Sequence, residues 1–265
     1  MDRRSLLALV ASAAAARKAL GELLTAPPVA PPSPAAAPAE GRCFQPGDAL
    51  PGDAQLFDAR LEPVALASLV PRGTRVVYLV LFGGAHGTRD GDVWCGDSER
   101  ELPLHRAVLR RFAGRGVLGL GVAVPPAYSA RHGYPEGAFR AAPGSEAFRE
   151  AAARFVARTE ALRAQGALPF DVVAYDPGFR LLDNPKAGPR EAAQPASGWQ
   201  GRFKACGDRQ RHGTPTLWLA DGALRVSREP FFGNLHDQDE PVLRYGETEL
   251  TEAVERALAA RGTGH

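Results

Sequence analysis

The 265-residue chain lacks a strong charge of either sign, because 32 Lys and Arg residues oppose 30 Asp and Glu residues, for a formal net charge of +2. The basic residues are spread along the chain instead of forming a stripe, so composition gives no electrostatic case for nucleic-acid binding. The chain also lacks internal repeats. Cysteine is scarce: three residues of this type allow one disulfide and leave one free thiol.

The N-terminus lacks an apolar run long enough to span a bilayer. Two arginines precede about a dozen apolar, Ala-rich residues, a length that suits the core of a signal peptide. We predict that residues 1–24 form either an export signal or an anchoring segment that tethers the protein to a membrane. Residues 25–42 are rich in Pro and Ala and predict an extended linker. The folded domain is predicted over residues 43–265, in the periplasm or cell envelope, with the cytoplasm as the alternative.

A cysteine stands between a predicted strand and a predicted helix. The apolar run 75–82 predicts a buried strand, and residues 95–113 predict an amphipathic helix. A thiolate at the start of a helix faces unpaired backbone N–H groups and the positive end of the helix dipole, and both stabilise it. Cys95 is therefore predicted to be exposed and reactive, although a lone cysteine is also compatible with a buried structural role. Ser98 shares its helix face, where the hydroxyl can donate to the sulfur.

The remaining periodicity predicts an α/β fold. Strand, helix and strand across residues 75–124 have the spacing of a right-handed crossover, so the sheet is expected to be partly parallel. The other predicted elements are two short strands within 55–66, a helix over 145–165 capped by Ser145, a strand over 170–175, a hairpin of 216–220 with 223–228, and a helix over 248–260. Two irregular insertions are expected, at 126–143 and 180–211.

The segment around Cys95 resembles a known active site. Trp94, Cys95 and Pro103 match the Trp-Cys-x-x-Cys pattern, with a proline eight residues after the first cysteine, of thioredoxins and their TlpA-like and redoxin (AhpC/TSA-type) relatives. Ser98 stands where the pattern has its second cysteine. The resemblance implies Cys95 and Ser98 as the catalytic pair of a Trp-Cys-x-x-Ser site.

Two distant segments extend the resemblance to most of the domain. Residues 213–216, Gly-Thr-Pro-Thr, resemble the cis-proline loop that faces the active cysteine in the thioredoxin-like superfamily. Residues 46–69 resemble the hairpin at the start of redoxin domains. The resemblance implies a thioredoxin-like fold, with a central mixed sheet flanked by helices. It also implies that Trp94, Thr214 and Pro215 contact the substrate.

The implied chemistry is thiol–disulfide exchange through the single nucleophile Cys95, with protein or low-molecular-weight thiols and disulfides as partners. Because Ser98 cannot resolve a mixed disulfide, an outside thiol or Cys206 must do so. Alternatively, Cys206 pairs with Cys43 as a structural staple, or all three thiols stay free. Two other functions remain open: a peroxiredoxin-like thiol peroxidase and a non-catalytic thioredoxin-fold binding module.

No cofactor and no metal site are predicted. His86, Asp90 and Asp92 lie on one glycine-rich loop, where such residues are typical turn formers. His212 lies close to the predicted proline loop and is a candidate for assisting proton transfer.

Overall fold

The computed structural model describes residues 43–126, 129–141, 145–176, 204–205, 214–233 and 245–260. The strands are β1 (Cys43–Phe44), β2 (Gln55–Phe57), β3 (Pro63–Ala65), β4 (Val76–Gly83), β5 (Val117–Val124), β6 (Val172–Tyr175), β7 (Lys204–Ala205), β8 (Thr216–Asp221) and β9 (Phe231–Phe232). The α-helices are α1 (Gly96–Arg111), α2 (Glu146–Ala164) and α3 (Glu247–Ala259).

Within the described ranges, seven strands form one mixed sheet in the order β3-β2-β6-β5-β4-β8-β9. Strands β4, β5 and β6 are parallel neighbours, whereas β8 runs antiparallel to β4 on its other side. Strand β1 pairs in parallel with β7 outside this sheet. The predicted fold class, an α/β fold with a central mixed sheet flanked by helices, is confirmed.

Strand β4 is buried along its whole length because both faces of the sheet are covered. Alternate side chains point to opposite faces. Tyr78 and Phe82 pack into the cluster that contains the apolar faces of all three helices. Leu79 and Leu81 belong to the cluster on the other face, with Trp218 of β8 and Leu50 of the loop that follows β1.

The predicted helices are confirmed with small differences at their ends. Helix α1 begins one residue after Cys95, with Pro103 inside it, and buries Leu102 and Val108. Helix α2 begins after Ser145, whose hydroxyl accepts the Phe148 amide at 3.3 Å, as the capping prediction requires. Helix α3 lies near the predicted range and buries a stripe of apolar residues against the sheet.

The predicted hairpin after β8 is present, although its returning segment is irregular. The chain turns at Asp221 as expected, because the Leu224 amide donates to the Asp221 carbonyl at 2.8 Å. Ala220 and Val226 form an antiparallel bridge, and the amides of Asp221 and Ser227 donate to the carbonyls of Arg225 and Leu219 at 2.9 and 2.8 Å. Residues 224–226 also exchange backbone hydrogen bonds with residues 47–50, and the start of β8 pairs with β9. Leu224 adopts a φ of 62°, which interrupts a regular strand.

The first insertion contributes to the core. Its described part contains two short 3-10 turns, at Ser129–His132 and Ala138–Arg140. Tyr134 and Phe139 are buried and meet Phe155 of α2 edge-on, at centroid distances of 6.0 and 5.9 Å. This insertion therefore helps to fix α2. Most of the second insertion lies outside the described residues, as do the predicted N-terminal segment and linker.

None of the helices in the described part of the chain is long and apolar enough to cross a membrane. The predicted tether in residues 1–24 falls outside those ranges and stays a prediction.

Candidate active site

Cys95 lies at the N-terminal boundary of α1, as its sequence position predicted. It is the N-cap residue with extended backbone (φ −98°, ψ 111°), and its carbonyl accepts the Glu99 amide of the first turn at 3.0 Å. Cys95 is free, and the residue is half-buried. Its side chain thus lies where the first amides of a helix lack intrahelical partners.

A glycine pair at the end of β4 lets the following loop return to the sheet. The Trp94 amide donates to the Gly84 carbonyl at 2.9 Å, and Ala85 bridges to Val93. A side chain at Gly83 would overlap the Cβ of Cys95 and approach its amide nitrogen to 3.0 Å. The absence of a Cβ at Gly83 therefore permits the close approach of Cys95 to the end of the central strand.

The proline loop faces Cys95 across this strand end. The Thr214–Pro215 peptide bond is cis, as predicted. The Cys95 thiol donates to the Thr214 carbonyl oxygen at an S–O distance of 3.1 Å. A mixed sheet with a helix-capping cysteine opposite a cis-proline is the arrangement that the sequence resemblance implied. The chain has a thioredoxin-like fold.

Comparisons with known proteins give structural likenesses only. No protein-family model and no curated protein matches the sequence. A thioredoxin-family thiol:disulfide interchange protein from Chlorobium tepidum is 16% identical, with a TM-score of 0.40 over 80% of this chain and 97% of its own. A thiol peroxidase from Chromobacterium violaceum is 14% identical, with a TM-score of 0.40 over 84% of this chain and 93% of its own. The peroxidoxin BcpB from Mycobacterium tuberculosis is 15% identical, with a TM-score of 0.37 over 84% and 99%.

The assignment of the thioredoxin-like fold rests on the sheet order and the Cys95–Pro215 arrangement of this chain itself. Similarities this weak do not identify the chemistry of the site, which depends on the residues of this chain.

Ser98 has a different partner from the one expected. It is 1% exposed, and its Oγ accepts the Gly83 amide at 2.9 Å. The predicted hydrogen bond from the Ser98 hydroxyl to the sulfur is absent from the described contacts, and the Cys95 thiol itself donates to the Thr214 carbonyl. Ser98 thus ties the first turn of α1 to the end of β4, and its hydroxyl satisfies a buried amide.

Trp94 lies half-buried beside Cys95 and is fixed by its indole N–H, which donates to the Val124 carbonyl at 2.6 Å. Its ring meets that of His132 at a centroid distance of 5.3 Å. His132 in turn meets His86 edge-on at 5.6 Å. The three rings form a continuous row that leads away from Cys95, and we call it the Trp94 row.

Sequence reasoning missed a polar cluster beside the proline loop, the Glu101 cluster, which consists of Tyr78, Glu101, His105 and Tyr245. The Tyr245 hydroxyl donates to Glu101 Oε2, and His105 Nε2 lies 3.7 Å from the same oxygen. The hydroxyl of Tyr78 lies 2.8 Å from His105 Nδ1. A signal existed: Glu101 and His105 are four residues apart on the apolar side of a predicted helix, where unpartnered charge is rare.

The Glu101 cluster adjoins the active-site loop. A side chain at Gly233 would overlap both Glu101 Oε1 and Pro215 Cγ, so the carboxylate and the proline ring lie on either side of the same small gap. Glu101 is 7% exposed. The sequence placed Glu101 six residues after Cys95, and only the tertiary structure places it next to Pro215.

Burial perturbs both titratable groups at the centre of the cluster. Burial raises the pKa of Glu101 from 4.5 to about 7, against the opposing hydrogen bond from Tyr245 and with a further contribution from the charge of Asp97. Burial lowers the pKa of His105 from 6.5 to about 3. Both groups are therefore neutral in weakly acidic solution, when Glu101 carries a proton that it can release near neutral pH.

The loop residues considered as metal ligands have other contacts. His86 Nδ1 accepts the amides of Thr88 and Arg89, both at 3.2 Å, so His86 forms a turn. Asp90 pairs with Arg158. Within the described ranges, no group of three or more His, Cys, Asp or Glu residues is arranged to hold a metal ion. His212 lies outside those ranges.

Cys43 is disulfide-bonded. Its strand, β1, pairs with β7, with Cys43 opposite Lys204. Cys206 follows β7 directly but lies outside the described residues, so its assignment as a staple to Cys43 or as a resolving cysteine stays a prediction.

Proposed function

We propose that this protein is a thiol–disulfide oxidoreductase in which Cys95 is the single nucleophile of the active site. The observation that carries the proposal is the free, half-buried Cys95 thiol at the start of α1, 3.1 Å from the carbonyl that precedes cis-Pro215. The N-terminus of a helix is a recurrent position for reactive cysteines in thiol–disulfide oxidoreductases.

The proposed reaction has two steps. The Cys95 thiolate attacks one sulfur of a substrate disulfide, a bond forms between the two sulfurs, and the other substrate sulfur leaves as a thiolate that takes up a proton. An external thiol, as its thiolate, then attacks the mixed disulfide and releases Cys95. One disulfide is consumed and one is formed, so electrons balance without a cofactor.

The second step is assigned to an external thiol because Ser98 occupies the position of a local resolving cysteine. Its hydroxyl is engaged by the Gly83 amide and has no redox chemistry. Cys206 remains the alternative resolving group. Because Cys43 already forms a disulfide, we favour Cys206 as its structural partner over Cys206 as the resolving cysteine.

Glu101 is proposed to hold the proton that the leaving thiolate takes up or that Cys95 regains. Its position beside the Pro215 ring and its pKa of about 7 suit a group that exchanges a proton near neutral pH.

We also propose that the protein acts outside the cytoplasm. Structural disulfides persist in oxidising compartments and are rare where glutathione keeps thiols reduced, and Cys43 is disulfide-bonded. Cell fractionation tests this proposal: recovery of the protein with the soluble cytoplasmic fraction would contradict it.

The test of the main proposal is adduct formation on the purified protein, kept without reductant so that the Cys43 disulfide stays intact. Incubation with hydroxyethyl disulfide should give a mixed disulfide that mass spectrometry assigns to Cys95, and an added thiol should remove it. Cys95→Ser should give no adduct. A Cys95 that reacts only after unfolding refutes the oxidoreductase and favours a binding module. Consumption of hydrogen peroxide with a sulfenic acid at Cys95, without disulfide exchange, favours a peroxidase.

A further inference from the structure

The two oxygens of the Glu101 carboxyl group have different surroundings. The Tyr245 hydroxyl donates to Oε2, and His105 Nε2 lies 3.7 Å from the same oxygen. Oε1 instead lies beside the Pro215 ring, because a Cβ at Gly233 would overlap both. The carboxyl group is therefore oriented, with Oε2 engaged by side chains and Oε1 turned to the proline loop.

His105 supports this orientation through its tautomer. The ring is 1% exposed, its Nε2 has no hydrogen-bond partner among the described residues, and its Nδ1 lies 2.8 Å from the Tyr78 hydroxyl. A lone pair on Nε2 would face the lone pairs of Glu101 Oε2. The favourable tautomer therefore carries its proton on Nε2 and accepts the Tyr78 hydroxyl at Nδ1. Because both groups around Oε2 are then donors, the proton of the neutral carboxyl is favoured on Oε1.

Tyr245 is fixed relative to the proline loop by strand β9. Its ring meets the ring of Phe231 in β9 at a centroid distance of 4.9 Å. Strand β9 pairs with the start of β8, directly after Pro215, and the Gly233 amide donates to the Pro215 carbonyl at 2.9 Å. The Tyr245 hydroxyl is thus held by the same strand that fixes the loop facing Cys95.

The titratable groups around Glu101 come from α1, β4 and the segment before α3. Burial raises the pKa of Glu101, the hydrogen bond from Tyr245 opposes this rise, and the charge of Asp97 adds to it. Burial keeps His105 neutral by lowering its pKa, and it raises the pKa of the Tyr78 hydroxyl. Tyr245 thus supplies a direct hydrogen bond to the ionised carboxylate.

We propose that Tyr245 is a positioning residue of the exchange reaction, because its hydroxyl turns the proton-bearing oxygen of Glu101 to the loop that faces Cys95. The inference rests on the proposed function, in which Glu101 exchanges a proton with the reacting thiols. Glu101 gives the proton on Oε1 to the leaving thiolate and regains it from the entering thiol, which then attacks as a thiolate. The Thr214 carbonyl is 3.1 Å from the Cys95 sulfur, so this sulfur and Oε1 adjoin neighbouring residues of one loop.

Tyr245→Phe tests the inference, because it keeps the ring against Phe231 and removes only the hydroxyl. The protein is kept with its Cys43 disulfide intact. The infrared band of a protonated carboxyl group is assigned to Glu101 by its loss in Glu101→Gln. In the parent this band should disappear near pH 7. In Tyr245→Phe it should persist to about one pH unit higher, because the ionised carboxylate loses a hydrogen bond.

The exchange reaction should follow the same titration. The rate constant for adduct formation with hydroxyethyl disulfide is measured against pH, and the inflection that Glu101→Gln removes is assigned to Glu101. Tyr245→Phe should move this inflection upward by about one pH unit. When Glu101 is already replaced by Gln, Tyr245→Phe should have no further effect on the profile.

Tyr175→Phe is the matched control. The Tyr175 hydroxyl also donates to a glutamate, Glu160 Oε1 at 2.7 Å, but this pair joins β6 to α2. Loss of the hydroxyl there should leave both the infrared titration of Glu101 and the pH profile at their parent values.

The outcomes separate this inference from the proposed function. If the parent and Tyr245→Phe give the same infrared midpoint and the same profile, positioning by Tyr245 is refuted and the oxidoreductase stands. If the band moves but the profile does not, the role of Tyr245 in the reaction is refuted. If Cys95 does not react with the disulfide at any pH, the oxidoreductase itself is refuted, and the role of Tyr245 with it.

Discussion

Replacing Glu101 with Gln removes the titrating group of the Glu101 cluster while keeping its shape. The amide can still accept the hydrogen bond from Tyr245 and fill the gap beside Pro215, but it cannot ionise. Any dependence of stability on pH that comes from Glu101 should therefore disappear in Glu101→Gln.

The size and sign of the effect follow from the pKa. In the unfolded chain the carboxyl releases its proton near pH 4.5, whereas in the folded protein it holds the proton up to about pH 7. Between these values the folded state binds more protons, so the free energy of unfolding falls as the pH rises. One pKa unit corresponds to about 1.4 kcal/mol, so the ionised carboxylate destabilises the parent by about 3 kcal/mol at alkaline pH.

The assay is urea unfolding of parent and variant between about pH 4 and about pH 8, without reductant, followed by tryptophan fluorescence. The difference in the free energy of unfolding, variant minus parent, should rise by about 3 kcal/mol across this range. His105 contributes the opposite trend, because its lowered pKa makes the folded state lose stability as the pH falls below 6.5. That contribution is common to both proteins and cancels in the difference.

Glu99→Gln is the matched control, since Glu99 is exposed on the same helix and undergoes the same chemical change. The rise of about 3 kcal/mol should be specific to Glu101→Gln. A difference for Glu101→Gln that does not change with pH would remove the basis for the proposed role of Glu101 in proton transfer.

Three further predictions concern Cys95 and its neighbours. Gly83→Ala should lower both the rate of Cys95 alkylation and the melting temperature, because the added Cβ overlaps Cys95. Gly96→Ala is the control and should lower neither, because the Cβ there meets open space. Ser98→Ala should cost about 1–3 kcal/mol in urea unfolding, because the buried Gly83 amide loses its acceptor; a neutral result would mean that water replaces the hydroxyl. Ser98→Cys should form a disulfide with Cys95 on mild oxidation, seen by mass as the loss of two hydrogens, because residues three apart on a helix lie within disulfide reach.

Local sequence was sufficient to place Cys95. The apolar run before it could only be a buried strand, and the helix after it had an apolar stripe, so the start of α1 followed from neighbouring residues. Likewise, Ser145 correctly predicted the start of α2, because an N-cap hydrogen bond joins residues within one helical turn. The hairpin at Asp221 was also a local inference, and its pairing with β8 was correct. The additional bonds of the returning segment to residues 47–50, distant in sequence, were not predicted.

The spacing of residues along the sequence could not predict the hydrogen-bond partners of Ser98 and Glu101. The helix period places Ser98 and Cys95 on one face, but the direction of each hydroxyl or thiol proton depends on which acceptor comes nearest after folding. Gly83 is 15 residues from Ser98, and Thr214 is 119 residues from Cys95. These distant groups supply the hydrogen bonds that replace the predicted Ser98–Cys95 contact.

The sequence by itself determined the elements, the position of Cys95 at a helix start and the proline loop, because strand periodicity, helix boundaries and the Thr214-Pro215 pair are local features. The tertiary structure alone decided that Glu101 adjoins Pro215 and that Trp94, His132 and His86 form one row. These groups come from separate strands, helices and loops. Their proximity depends on how the sheet orders its strands and how the helices cover it, and no spacing along the chain encodes that distance.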